Sequence, residues 1–191
     1  MTKRIGITGG IGSGKSVISD IFRQRGYIVY DSDIEAKRLM CSDERIIKQL
    51  VARYGNEVYV DGKLNKELLA NKMFGNRSEV EFVNGAVHPV VFEDFIRKSY
   101  GKPIIFIESA ILYECGLDMF VDKVITVEAP LDVRIARVIK RDNTTAEKVL
   151  KRIEHQQMTD NEAAKQANWV INNDGIEELT PQIDRILSEI L

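Results

Sequence analysis

The sequence predicts an α/β fold: a five-stranded parallel sheet flanked by helices, with a helical lobe inserted after the second strand. Three observations lead there. Short apolar runs at 4–8, 27–30, 103–108, 123–127 and 169–171 alternate with helical patterns, and continuous runs of this kind suit strands buried on both faces. A glycine-rich segment joins the first run to the first helical pattern. Residues 34–99 read as mostly helical and charged, and the stretch is far longer than a simple crossover needs, so it forms a lobe of its own.

Each element has a local reason. Val17, Ile18, Ile21 and Phe22 recur at helical spacing, and Gly26 ends that helix before the second apolar run, which stops at Asp31-Ser32-Asp33. In the lobe, Tyr59-Val60-Asp61-Gly62-Lys63 carries a turn signal for a hairpin. After the fourth run, Leu131, Ile135, Val138 and Ile139 make one buried helical stripe, and Thr144-x-x-Glu147 reads as a capping box opening the next helix. Ile176, Leu179, Ile183, Ile186, Leu187 and Ile190 give a closing stripe that should pack on the sheet. Strands and helices that alternate in this way imply right-handed crossovers, with ligands at the carboxyl ends of the strands.

Size and composition narrow the class. At 191 residues, 44% hydrophobic and 29% charged, the chain suits one soluble globular domain with an inserted lobe. No apolar run is long enough to cross a bilayer, and the first strand begins too early to leave room for a signal peptide, so a cytoplasmic protein is expected. The 27 basic and 29 acidic residues nearly cancel to a net charge of -2, which gives no general field for nucleic acid. No membrane partner or obligate protein partner is implied. Cys41 and Cys115 lack Cys-x-x-Cys spacing, so they suggest neither a disulfide nor a zinc site and are expected in the core.

The glycine-rich segment carries the chemistry. Gly9-Gly10-Ile11-Gly12-Ser13-Gly14-Lys15-Ser16, set between strand and helix, has the spacing of a P-loop. The backbone N–H groups of Gly10, Ile11, Gly12, Ser13 and Gly14 turn inward as a nest for phosphate, Lys15 reaches the β and γ phosphates of a triphosphate, and the Ser16 hydroxyl suits a Mg²⁺ ion that bridges them. Asp31 and Asp33 end the second strand, where the sheet rule places a crevice, so either could accept a proton or hold metal-bound water. Asp33 also precedes Ile34-Glu35-Ala36-Lys37 and fits a helix N-cap; the two roles are compatible.

Arg134, Arg137 and Arg141 share one helix face, either a solvated surface or a lid that brings guanidinium groups to the transferred phosphoryl. His88, before Pro89, could touch a phosphate or fix a helix start. His155 has no partner spacing and is expected at the surface, and Glu108 ends a strand at the ligand edge, with a supporting role toward Mg²⁺ or none.

Taken together, these residues resemble the dephospho-coenzyme A kinase family. Beyond the P-loop and Asp31-Ser32-Asp33, the resemblance runs through Asp61-Gly62-Lys63-Leu64-Asn65-Lys66, Phe74, His88-Pro89, Leu112-Tyr113-Glu114, Arg137-x-x-x-Arg141-Asp142, Gln156 and Val170-Ile171-x-Asn173-x-Gly175. It implies a P-loop kinase core at 1–33 and 100–191, a lid at about 141–162 within it, and an acceptor-binding lobe at 34–99. The implied reaction moves the γ-phosphoryl group of ATP to the ribose 3′-hydroxyl of dephospho-coenzyme A, the last step of coenzyme A synthesis.

Carried over by residue, the resemblance makes Asp33 the catalytic carboxylate. Lys15 and Ser16 become the ATP and Mg²⁺ contacts and Arg141 the lid arginine, with Arg137 beside the nucleotide. Asp31, Asp33, Lys66 and His88 fall toward the acceptor. Ala110 stands where the family usually has Pro, Lys66 where Arg is common and Asn168 where Asp is usual. A nucleoside monophosphate kinase would share loop and lid, but its Gly-Phe-Pro-Arg-type segment is replaced here by Ile107-Glu108-Ser109-Ala110. A guanine-nucleotide switch would need Asn-Lys-x-Asp, and Asn172-Asn173-Asp174-Gly175 lacks the lysine.

Overall fold

Residues 2–154 and 160–191 are described by the structure, a computed structural model. In chain order they form β1 (Lys3–Thr8), α1 (Lys15–Gln24), β2 (Ile28–Asp31), α2 (Ser32–Met40), α3 (Glu44–Tyr54), β3 (Tyr59–Val60), β4 (Lys63–Leu64), α4 (Lys66–Met73), α5 (Arg77–Ser99), β5 (Ile104–Glu108), β6 (Lys123–Glu128), α6 (Leu131–Asp142), α7 (Ala146–Glu154), α8 (Asp160–Gln166), β7 (Trp169–Asn172) and α9 (Leu179–Ile190). Short 3₁₀ turns lie at Asn56–Val58 and Leu117–Phe120.

The five apolar runs become one parallel sheet in the order β2-β5-β1-β6-β7. β1 is central: Ile5 pairs with Phe106 of β5 on one side and with Lys123 of β6 on the other. The segment after β1 therefore leaves from the middle of the sheet's carboxyl edge, where the strand order reverses direction. The continuous apolar runs are explained by burial on both faces, since Ile104 to Ile107 and Val124 to Val127 are all buried. Ile18 and Phe22 of α1 and Ile183, Ile186, Leu187 and Ile190 of α9 join Ile5, Ile7, Phe106 and Ile125 in one core, with Phe22 stacked on Phe106 at 4.1 Å.

Contacts divide the chain into two compact units, Met1–Tyr30 with Ser99–Leu191, and Asp31–Lys98. The first holds the sheet. The second is helical except for the β3–β4 hairpin, whose turn places Asp61 and Gly62 at φ of 50° and 72°, the left-handed pair that an Asp-Gly two-residue turn supplies. Its longest helix, the 23-residue α5, contains Pro89.

Several local expectations are corrected. Ile176 is exposed and precedes α9, and Leu131 is exposed on α6, where Arg134 takes a buried position instead. The amide of Lys148 is met by the Thr145 hydroxyl (3.5 Å) and α7 opens at Ala146, so the capping box at Thr144 does not form. Cys41 is exposed, since it follows α2 in a surface turn, whereas Cys115 is half-buried. No described helix is long and apolar enough to cross a membrane.

Candidate active site

The loop after β1 is braced from behind by residues far along the chain. Arg134, itself buried, donates from Nε to the Ile11 carbonyl at 2.8 Å. Arg137 donates to the Ser13 carbonyl at 3.3 Å, and the buried Asn173 donates from Nδ2 to the same oxygen at 2.8 Å. Asn173 Oδ1 in turn accepts from Arg137 at 3.3 Å. Asn173 is held by its own amide, which donates to the Glu128 carbonyl at 2.8 Å. The backing explains two glycines directly: a Cβ on Gly12 would lie 2.6 Å from the Arg134 carbonyl oxygen, and one on Gly14 would lie 2.1 Å from Asn173 Nδ2. Both also have positive φ, 81° and 94°.

These bonds take up the carbonyls of Ile11 and Ser13 and none of the loop's amides. Ser13 N closes a turn on the Gly10 carbonyl at 3.1 Å, and α1 then opens at Lys15 with no side-chain cap, so its positive end is available to phosphate. Lys15 Nζ donates to the carbonyls of Gly9 (2.8 Å) and Gly10 (3.3 Å), which holds the ammonium along the loop. Ser16, the second residue of α1, is exposed. Its single hydroxyl is the kind of protein donor that Mg²⁺ takes beside phosphate oxygens and water. Among the described residues no group of three or more His, Cys, Asp or Glu could hold a metal unaided.

Arg141 ends α6 on the exposed side, where its Nε and Nη2 grip Asp142 at 2.7 and 3.2 Å. Asp142 also accepts from Arg152 of α7 at 2.7 Å, bridging the two helices across Asn143, the left-handed residue between them. Arg141 first and Arg152 second hold the Asp142 carboxyl down at about 2. His155, Gln156 and part of the expected lid at 141–162 fall outside the described residues.

The second unit carries the remaining candidates. Asp31 is the N-cap of α2, its carboxylate accepting from the Ile34 amide at 2.9 Å. That corrects the capping alternative for Asp33: β2 runs on to Asp31, the helix starts at Ser32, and Asp33 sits exposed in its first turn. Lys66 is the first residue of α4, behind the Asn65 cap. His88 starts no helix; it is half-buried in the middle of α5, stacked on Phe92 at 5.9 Å.

The dephospho-CoA kinase family model matches residues 3–178. The chain belongs to the dephospho-CoA kinase family. A curated dephospho-CoA kinase of Bacteroides fragilis is 44% identical over 191 residues, covering 98% of this chain and 93% of that one. The crystal structure of TT1252 from Thermus thermophilus superposes with a TM-score of 0.84 at 33% identity, covering 100% and 98% of the two chains. Dephospho-CoA kinase from Campylobacter jejuni shares the fold, with a TM-score of 0.70 at 19% identity and coverage of 100% and 98%. As a member of this family the protein is a transferase that phosphorylates dephospho-CoA with ATP.

In this dephospho-CoA kinase Arg134 is neither the solvated nor the lid residue that its helix face suggested, being buried against the loop, and Asn173 is a loop contact for which the sequence offered no role. Arg134 was visible only as one of three basic residues on a helix face, and Asn173 only as part of a terminal motif; neither signal says that they hold the loop. Arg134→Met is expected to raise the KM for ATP by about tenfold, since a charged hydrogen bond is worth roughly 1.5–3 kcal/mol and each 1.4 kcal/mol is a factor of ten. Steady-state kinetics at varied ATP would show it, and an unchanged KM would deny the brace.

Burial holds the His88 imidazole below its ordinary value of 6.5. Below 6.5 the unfolded chain therefore takes up a proton that the folded protein resists, and the residue's contribution to stability falls as the pH drops through that interval. His88→Gln is expected to flatten the fall in Tm between about pH 7 and about pH 5. Calorimetric scans of both proteins across that range would check this, and parallel slopes would contradict it.

Proposed function

We propose that this chain transfers the γ-phosphoryl group of ATP to the ribose 3′-hydroxyl of dephospho-CoA with the following division of labour. The amides from Gly10 to Gly14 bind the triphosphate, and Lys15 neutralises charge on the β and γ phosphates. The Ser16 hydroxyl would hold Mg²⁺, which would offset the charge of the phosphates when bound. Asp33 accepts the proton of the attacking hydroxyl, so that the nucleophile gains charge as the phosphoryl group departs from ADP. Arg137 lies along the nucleotide, and Arg141, released from Asp142, meets the equatorial oxygens of the transferring group. Residues 34–99 receive the acceptor, with Asp31, Lys66 and His88 toward it. The reaction belongs in the cytoplasm, where its acceptor is a small molecule.

The observation that carries this reading is the braced loop: three side chains hold the carbonyls of Ile11 and Ser13, which fixes the loop's conformation ahead of the uncapped start of α1 and supports an anion site there. A coupled assay of ADP release, run with a panel of acceptors, tests it. Dephospho-CoA is expected to turn over alone; faster turnover of AMP, CMP or shikimate would remove the acceptor assignment and leave the kinase chemistry.

A further inference from the structure

The helix that carries Asp33 has few apolar anchors. Of the nine residues of α2, only Ser32 and Leu39 are buried, and Ile34 is exposed. A helix of this length has little stability of its own, so its placement must come from outside it. At its far end the Tyr59 hydroxyl donates to the Met40 carbonyl at 2.6 Å. Along its length the fastening is ionic.

Glu35 and Arg38, one turn apart on α2, pair at 2.6 Å. Arg38 reaches Asp94 of α5 at 3.1 Å, while Lys98, one turn further along α5, meets both Glu35 (2.9 Å) and Asp94 (3.3 Å). Two charges from each helix thus close a ring of alternating sign. Arg97 adds another contact to Asp94. The Asp94 side chain is only 2% exposed, against 46% for Arg38 and 40% for Lys98, so it is the buried node on which the ring turns.

A buried ionic node is weak evidence for stability, because desolvation consumes much of the attraction; its best-attested use is to select one register. An apolar contact would tolerate α2 in several rotations against α5, whereas alternating charges accept one. Asp33 lies two residues before Glu35 on the same short helix, and a shift of about 1 Å at a reacting group can cost 10²-fold in rate. We propose that Asp94 is a positioning residue of the phosphoryl transfer: by holding Arg38 and Lys98 it fixes the rotation of α2, and with it the direction of the Asp33 carboxylate. This rests on the reading of Asp33 as proton acceptor.

Asp94→Asn removes the charge and keeps the shape, and is expected to lower kcat by about tenfold or more with little change in the KM for ATP. The decisive readout is coupling. In an Asp33→Asn background the same change should cost almost nothing further, because no carboxylate remains to be aimed. Ile186→Val is the stability control: it removes one carbon from the core at α9, outside residues 34–99, and should lower Tm while leaving kcat as it was. Should Asp94→Asn not fold, Glu35→Gln opens the ring from the other helix and is expected to reproduce the kcat loss. Wild-type kcat in the ring variants, or a loss that adds in full to that of Asp33→Asn, would overturn the inference. A wild-type rate for Asp33→Asn alone would instead remove the proton-acceptor reading, so the two failures are told apart.

Discussion

Asp33→Asn is expected to lower kcat by about 10²-fold or more, with ATP affinity and Tm both close to wild type. Asparagine has the carboxylate's shape but cannot take the proton of the attacking hydroxyl, so the loss falls on the chemical step. The stability half of this expectation comes from the helix start. Because Asp31 caps α2 through the Ile34 amide, and Asp33 is exposed in the first turn, the substitution leaves the cap in place. Kinetics, nucleotide titration and thermal melting on one preparation decide it. An unchanged kcat would return Asp33 to a surface position, and a kcat loss accompanied by a large fall in Tm would point to damage to the fold.

Lys15→Ala is expected to harm binding and turnover together, with kcat falling by about 10²- to 10³-fold, the usual size for a group aimed at developing charge. In the proposed reaction the lysine has two tasks. Its Nζ already lies along the loop, bonded to the carbonyls of Gly9 and Gly10, so truncation removes a restraint from the phosphate cradle as well as a positive charge from the transferring group. Calorimetric titration with ATP in excess Mg²⁺ should show weaker binding, and single-turnover kinetics a slower transfer. If binding weakened while single-turnover rates at saturating ATP were preserved, Lys15 would be an anchor for the ground state only.

What could be read in the chain alone follows from how far apart the cooperating residues stand. The P-loop was legible because its strand, glycines, lysine and helix are contiguous, so the whole motif lies in one short stretch of chain. The strands were legible from apolar runs, since a parallel sheet buries both faces, and the β3–β4 hairpin from Asp61-Gly62, since few residue pairs adopt its turn. The capping of α2 was not, because moving the end of β2 by a residue or two exchanges the roles of Asp31 and Asp33. Nor was the path of α5 through His88 and Pro89, where burial of Val83, Val87, Val90, Val91 and Phe95 on the helix outweighs the local preference of proline for a helix start.

The sequence by itself therefore determined the sheet-and-helix order, the phosphate loop and the family. Only the tertiary structure decided which side chains make the loop rigid and which hold α2 in place. Arg134 meets Ile11 across 123 residues, Asn173 meets Ser13 across 160, and Asp94 meets Arg38 across 56. A basic stripe on a helix looks the same whether water or a buried carbonyl faces it. What separates the cases is the partner that folding delivers, because a polar group withdrawn from water is held only where a complementary one waits.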